Sequence, residues 1–376
     1  VQGGNVRSVG VEEELLLVDA QSGRPLAVSG AVLAAAERSA WQHPGADGRP
    51  SHEFEKELQK EQLEFATKPI TEMDELQEEI IRIRGEAARH AASTGAVVAA
   101  VATSPMPVQP SLNVGRRYQW LGEQFGLTAQ EQLTCGCHVH VSVDSDEEGV
   151  AVLDRIRSWL AVLLAMSANS PFWQGEDTGY ASYRSRVWNR WPSAGPVAVF
   201  GSADRYHARV RDMIDTGVLR DEGMIYFDAR LSAAYPTVEI RVADVCLDAA
   251  TPVLLAALVR GLVETASRAW QNGEPPARVD TSLLRLASWR AARSGLDGPL
   301  LHPETMRETS APQAVEALYQ HVREALKDHG DDERVRQGIA QLHERGNGAR
   351  TQRGLQADGQ SLSSVVARCA EMTLEP

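Results

Sequence analysis

Three consecutive glutamates interrupt an apolar segment near the start of the chain, VGVEEELLLVD at residues 9–19. Side chains alternate along a strand, so Glu12 and Glu14 share one face while Glu13 points the other way with Val11 and Leu15. Burying two carboxylates without partners costs several kcal/mol each, so cations or arginines must neutralise them. For an isolated run of acids, an edge strand with a wet outer face is the ordinary alternative. The oddity recurs. QLEFAT sets Glu64 between Leu63 and Phe65, and TVEIRV sets Glu239 and Arg241 on one strand face, with Val238, Ile240 and Val242 on the other. CHVHVSV adds His138 and His140 on a single face. Carboxylate oxygens joined by an imidazole suit magnesium or manganese, hard cations that keep waters and bridge to phosphates.

Other constellations compete. CGCHVH holds two cysteines and two histidines, but alternation sends Cys135 and Cys137 to one face and His138 and His140 to the other, against tetrahedral zinc. The ordinary reading of the cysteines is small buried hydrophobes, and of His140 a hydrogen-bonded sheet histidine. The stretch from Asn169 to Gly201 is rich in tryptophan, tyrosine and arginine. It is either a rigid lid or subunit contact held by Trp173, Trp188 and Trp191, or a substrate-recognition loop using Arg184, Arg186 or Arg190, and these roles are compatible. RGNGARTQR at 345–353 offers Arg350 and Arg353 to a phosphate or substrate; a solvated helix end explains it equally well. Neither GxxxxGK[ST] nor a strand followed by GxGxxG occurs, so a nucleotide must be held another way.

The elements that position these residues follow from periodicity. Strands are expected at 9–19, in AVVAAVATSP up to Pro105, at 137–143, near 224–231 and near 237–245. Helices are expected from Thr71, as N-cap, to Ser93, then at 116–125, 148–168 and 252–270, with a mostly helical remainder. No repeat or linker divides the chain, so 1–376 reads as one mixed domain. Lysine plus arginine total 38 against 51 acids, a net charge of −13, which disfavours a nucleic-acid partner. The four cysteines fit no disulfide framework, the N-terminus shows no export signal, and the apolar stretch at 159–166 is short of a membrane span. A soluble cytoplasmic protein is expected.

Together, VGVEEELLLVD, QLEFAT, CGCHVHVSVD, SANSPFWQGEDTGYASYR, RVWNRWPSAGP, YPTVEIRVADVC, WRAARSGLDG and GNGARTQR resemble, in order, the type 2 glutamate–cysteine ligases, or carboxylate–amine ligases, over residues 8–354. Cys137 departs from the pattern, standing where the family more often has a bulkier apolar residue. The resemblance implies an α+β, glutamine synthetase-like catalytic fold: a curved antiparallel half-barrel sheet with helices on its outer face. It implies ATP with magnesium, or manganese, at about two or three ions. Glutamate is phosphorylated on its side-chain carboxylate, and an amine then displaces phosphate to form an amide, with cysteine the default acceptor giving γ-glutamylcysteine. Glu12, Glu14, Glu64, His138 and Glu239 match metal-binding positions, and Arg241 matches the arginine on the transferring phosphoryl group. Tyr180 and Arg184 resemble substrate-binding positions. A homodimer is implied. The alternatives are a phosphotransferase of related fold and an inactive homologue that binds ATP and metal.

Overall fold

The computed structural model describes residues 6–42 and 54–375. Its strands, in chain order, are β1 (Val9–Asp19), β2 (Phe54–Glu55), β3 (Gln62–Ala66), β4 (Ala96–Ala99), β5 (Gly136–Ser142), β6 (Phe172–Trp173), β7 (Glu176–Asp177), β8 (Ala229–Leu231), β9 (Thr237–Asp244) and the short pair β10 (Leu300–Leu301) and β11 (Glu308–Thr309). Seven of them form one sheet in the order β2-β3-β1-β5-β9-β8, with β4 also on β1, and every pairing is antiparallel. β6 and β7 make a separate hairpin. The chain is α+β, as its pattern implies.

One face of the sheet is apolar because the alternating valines and isoleucines of β5 and β9 all point there. Val139, Val141, Val238 and Ile240 share a core with Leu254, Leu258 and Leu262 of the helix Ala250–Gln271 and with Val152, Ile156, Leu160 and Leu163. Leu15, Leu17 and Val98 pack with Ile83 and Ala87 of the helix Met73–Ala92 and with Val365 and Val366 near the C-terminus. Each fully buried leucine or isoleucine contributes roughly 1.5–3 kcal/mol of transfer free energy. Glu13 points into this side and is fully buried. Arg84 grips it through two hydrogen bonds, at 2.7 and 2.8 Å, and also donates to the carbonyls of Cys246, Leu247 and Thr373. The run of three glutamates is therefore divided between two environments, an internal arginine behind the sheet and the site in front of it.

The elements differ from expectation in several places. The strand expected near 224–231 is a 3-10 turn at Glu222–Met224 followed by β8 alone, and the strand expected up to Pro105 ends at Ala99. The segment read as one helix over 148–168 is two, Asp146–Ile156 and Leu160–Ser167. Arg157 interrupts it by turning its guanidinium onto the carbonyls of Val197, Ala277 and Val279, and the Trp159 amide closes a tighter turn on the carbonyl of Ile156. The helix expected from Thr71 begins at Met73, capped by the extended Glu72, because the Thr71 carbonyl is engaged by Arg260. Among the described residues one helix, Ala250–Gln271, is long and apolar enough to cross a membrane, and 83% of its most apolar window is buried in the fold as a core helix.

Candidate active site

Register places the polar residues of five strands on the other face. Glu12 of β1 stands opposite His138 of β5, His140 opposite Glu239 of β9, Glu14 opposite Glu64 of β3, and Glu239 opposite Arg230 of β8. Between the pairs Cys137–Ala243 and Val139–Ile240 the register shifts, so that Arg241 and Val242 of β9 stand against His138 alone, and β9 bends locally, as a strand with an inserted residue does. Glu12, Glu14, Glu64, His138 and Arg230 border a cavity of about 330 Å³, with Glu239 and His140 directly behind its lining. Glu12, Glu14, Glu57, Glu64 and His138 form an acidic part of its lining; Arg117, Arg230 and Arg241 supply positive charge, and Tyr118, Trp188, Trp191 and Tyr226 supply aromatic walls.

The acids differ in state because their partners differ. Burial opposes the charge of Glu12, but His138 Nδ1 at 3.0 Å and His140 Nε2 at 3.1 Å hold its carboxyl well below the usual range. Burial pushes Glu14 up to about 7, reinforced by Glu57 and opposed by Arg184 and by the Gly136 amide, which donates to it at 2.7 Å. Burial also raises Glu64 well above the ordinary value, with Glu57, Glu14 and Glu12 adding like-charge repulsion. Burial would raise Glu239 too; Arg241 and Arg230 overcome it and bring the carboxyl to about 2. Burial and then Arg241 depress His138 to about 4, so its imidazole is neutral near pH 7.

A cation fits this donor set. One oxygen or nitrogen from each residue lies within 4.8 Å of the others in Glu12–Glu64–His138, in Glu14–Glu57–Glu64 and in Glu12–His140–Glu239. Neutral His138 donates through Nδ1 to Glu12, which leaves Nε2 as a lone pair; that atom is buried and has no hydrogen-bond partner among the described residues. A carboxylate that fixes the tautomer of a metal-ligating histidine is the common outer arrangement of such sites. The raised Glu14 and Glu64 mark a place where negative charge is gathered without a protein cation bonded to it, and oxygen ligands of this kind select magnesium or manganese. All four cysteines are buried free thiols, and burial raises them, so none joins the set.

The structure thus brings together Glu12, Glu14, Glu64, His138, Glu239 and Arg241. Arg184 lies beside this group: its guanidinium is 2% exposed, sits 5.7 Å from the Trp188 ring and reaches Asp244 only at 3.9 Å. Tyr180, Arg190, Arg350 and Arg353, also singled out from the sequence, do not line the cavity. Arg190 pairs with Glu131, Arg350 with Asp297 and Arg353 with Asp177, while Tyr180 packs against Tyr183 and Trp289. Of the three loop tryptophans, Trp188 and Trp191 form part of the cavity wall.

Several lining residues carry no signal in the sequence, among them Glu57, Arg230, Arg117 and Tyr118. Glu57 lies in a charged stretch seven positions before Glu64, and the short β2–β3 pairing folds it back over Glu64; charge alone gave no sign of this. Arg230 is visible only through register, on an edge strand opposite Glu239. Arg117 and Tyr118 open a helix whose place over the sheet is a tertiary fact.

The chain is similar to known proteins over nearly its whole length. The glutamate-cysteine ligase family 2 model matches residues 8–369. A Streptomyces coelicolor protein provisionally named glutamate–cysteine ligase 2 is 60% identical over 368 residues, covering 98% of this chain and 99% of its own. A Paenarthrobacter aurescens protein, provisionally named glutamate–cysteine ligase 2-1, is 48% identical, covering 98% of this chain and 95% of its own. Among solved structures, a Francisella tularensis glutamate–cysteine ligase in complex with AMP superposes with a TM-score of 0.71 at 13% identity, covering 99% of this chain and 90% of that one, a likeness of fold.

Proposed function

The chain belongs to glutamate-cysteine ligase family 2, a family of ATP-dependent ligases, and from that premise we propose that it activates the γ-carboxylate of glutamate as an acyl phosphate and joins it to an amino acid amine. The observation that carries this reading is one cavity in which buried carboxylates and a bare imidazole nitrogen face Arg230 and Arg241. Acids gathered without bonded protein cations call for divalent metal, and arginines beside them call for a polyanion, a pairing that metal-bound ATP satisfies.

In this scheme the γ-phosphoryl group passes from ATP to a glutamate side-chain oxygen, releasing ADP. The amine nitrogen then attacks the acyl carbon, the carbon–oxygen bond to phosphate breaks, and the amine loses a proton. Glu12, Glu14, Glu64, His138 and Glu239, joined by Glu57, would hold magnesium, which supplies charge neutralisation on the phosphoryl oxygens when bound. Arg241, held between the Trp188 and Tyr226 rings at 5.6 and 6.0 Å, is oriented to meet the transferring phosphoryl group. The aromatic walls restrict water, which protects an acyl phosphate from hydrolysis. Tyr180, Arg184 and Arg190 are the candidate contacts to the amino acid substrates, and Arg350 and Arg353 to the nucleotide. Cysteine is the default acceptor. The reading treats the chain as one catalytic domain working as a homodimer in the cytoplasm, a reducing compartment suited to four free thiols.

The test is incubation with ATP, magnesium, glutamate and a panel of amines, read by nucleotide analysis and product mass. ADP, phosphate and a condensed amide are expected. Release of AMP would signify an adenylate and overturn the acyl phosphate; a phosphorylated product with no amide would identify a phosphotransferase.

A further inference from the structure

Glu239, next to Glu12 and His140 and behind the cavity lining, differs from the acids that line the cavity in having both oxygens taken by cations of the chain. Arg230 Nε donates to Oε2 at 2.7 Å and its Nη2 to Oε1 at 3.2 Å, while Arg241 Nη1 donates to Oε1. Among the described residues, no lysine or arginine forms an ion pair with Glu14 or Glu64. Among the buried atoms beside Glu239 that lack hydrogen-bond partners are two of opposite chemistry, the Nε donor of Arg241 and Nε2 of His138. The residues that carry them are 7% and 3% exposed. An anion would satisfy the first and a cation the second.

We propose that Glu239 is a contested carboxylate: an anion that engages Arg230 and Arg241 frees it to join Glu12 and the histidines around a divalent cation, so anion and cation bind cooperatively. The inference rests on the ligase reading, since it concerns the same cavity. Its physical basis is that the two states exclude each other. With both guanidiniums in place, a divalent ion on Glu239 meets two buried positive charges at close range. With both guanidiniums withdrawn and no cation, Glu239 is a buried, unpaired ion, which is strongly disfavoured. Glu239 is within reach of the cation side, because one oxygen of it lies within 4.8 Å of ligand atoms from Glu12 and His140.

Arg230 has somewhere to go. It lies on the edge strand β8, its side chain is 15% exposed, and it borders both the main cavity and a smaller one of about 60 Å³ that Asp146, Tyr206, Glu222 and Ser232 also line. Arg241, wedged against Trp188 and Tyr226, has less freedom. Arg230 is therefore the positioning residue, whose grip on Glu239 sets how much an arriving anion must overcome.

The experiment measures Mn2+ binding to the metal-free protein by electron paramagnetic resonance at fixed pH, with and without inorganic phosphate, correcting for Mn2+–phosphate association in a protein-free control. Saturating phosphate is expected to tighten the weakest Mn2+ site roughly tenfold, within the usual range of coupling between sites, and Mn2+ must tighten phosphate by the same factor. Arg230→Gln should fill that site without phosphate and lose the coupling, and Arg230→Lys should restore part of it. Phosphate leaving Mn2+ affinity unchanged in the wild-type protein would overturn the proposal without any variant, as would unaltered coupling in Arg230→Gln. Coupling without amide formation from any amine would sink the ligase reading and spare this one; amide formation without coupling would do the reverse.

Discussion

Glu14 and Glu64 stand directly opposite one another across the β1–β3 pair, two like charges at facing positions of an antiparallel ladder, with Glu57 close enough to share a ligand site with both. Like charges in direct register destabilise a sheet, and burial enlarges the cost. The arrangement is explicable if the charge is cancelled when the protein works.

The pair sets a pH dependence. Burial and Glu57 lift Glu14 to about 7, and Glu64 is raised in the same direction. Between the ordinary carboxylate value and the raised one, the folded state keeps a proton that the unfolded state has lost. The stability contributed by these groups is therefore present at low pH and is lost as pH rises through that window. His138, depressed to about 4, works oppositely between there and its ordinary value, but it is common to wild type and variant and cancels in a difference. Glu64→Gln should make the metal-free protein more stable than wild type by roughly 1–3 kcal/mol at pH 8, with the gap closing toward pH 4.5. Saturating Mn2+ should raise the wild-type melting temperature at pH 8 more than that of the variant. Urea unfolding at the two pH values checks this; equal stabilities at both would remove Glu64 from the strained cluster.

Behind the sheet, the Glu13–Arg84 pair invites a different perturbation. Both side chains are fully buried, and Arg84 also ties β1 to the carbonyls of Cys246, Leu247 and Thr373. Glu13→Gln leaves a buried guanidinium without its counter-charge and should cost about 3–5 kcal/mol in urea unfolding. Replacing both residues by apolar ones, Glu13→Leu with Arg84→Met, should recover much of that loss. A single variant within 1 kcal/mol of wild type would contradict the pairing.

Strand periodicity made the acidic face of the sheet legible because its signal is local: an acid or histidine at every second position of an otherwise apolar strand. Glu12, Glu14, Glu64, His138 and Glu239 stand out that way, and β1 extends over the residues expected of it. Arg230 and Glu57 were not legible, because what identifies them is their partner across a sheet, and no short-range pattern encodes register between β8 and β9 or the fold-back of β2. The break at Arg157 was hidden for a similar reason. The sequence from Glu148 to Ala168 is helix-compatible throughout, and the interruption arises from carbonyls distant in the chain.

Gly136 is a position where the absence of a side chain is structural. A Cβ there would lie 2.2 Å from Arg184 Nη2 and 2.9 Å from its Cζ, while the Gly136 amide donates to Glu14. Gly136→Ala therefore forces Arg184 to move, at about 1–3 kcal/mol for overpacking, and disturbs the support of Glu14. Ligase turnover should fall by at least tenfold while the far-ultraviolet circular dichroism stays unchanged. Combining Gly136→Ala with Arg184→Met should regain stability without regaining turnover, which a double-mutant cycle would show as non-additivity. Additive effects would mean that the two positions do not communicate.

The arginines of the GNGARTQR segment give the last contrast. Arg353 donates to both oxygens of Asp177, at 2.9 and 2.6 Å, and to the carbonyl of Tyr180, so it restrains the turn that carries Tyr180. Arg350 is bonded through its side chain to Asp297 alone among the described residues. Both pairs are partly exposed and contribute about 0–1 kcal/mol each, so alanine at either position should leave the melting temperature nearly unchanged. Steady-state kinetics then separates their roles. Arg353→Ala should raise a KM several-fold with kcat less affected: that of glutamate if Arg353 acts by holding Tyr180 in place, that of ATP if it meets the nucleotide itself. Arg350→Ala should alter the KM for ATP only if its bond to Asp297 opens toward the nucleotide. Wild-type kinetics in both variants would withdraw the segment from the site and leave it the role of tying the C-terminal helices to the loop at Asp177.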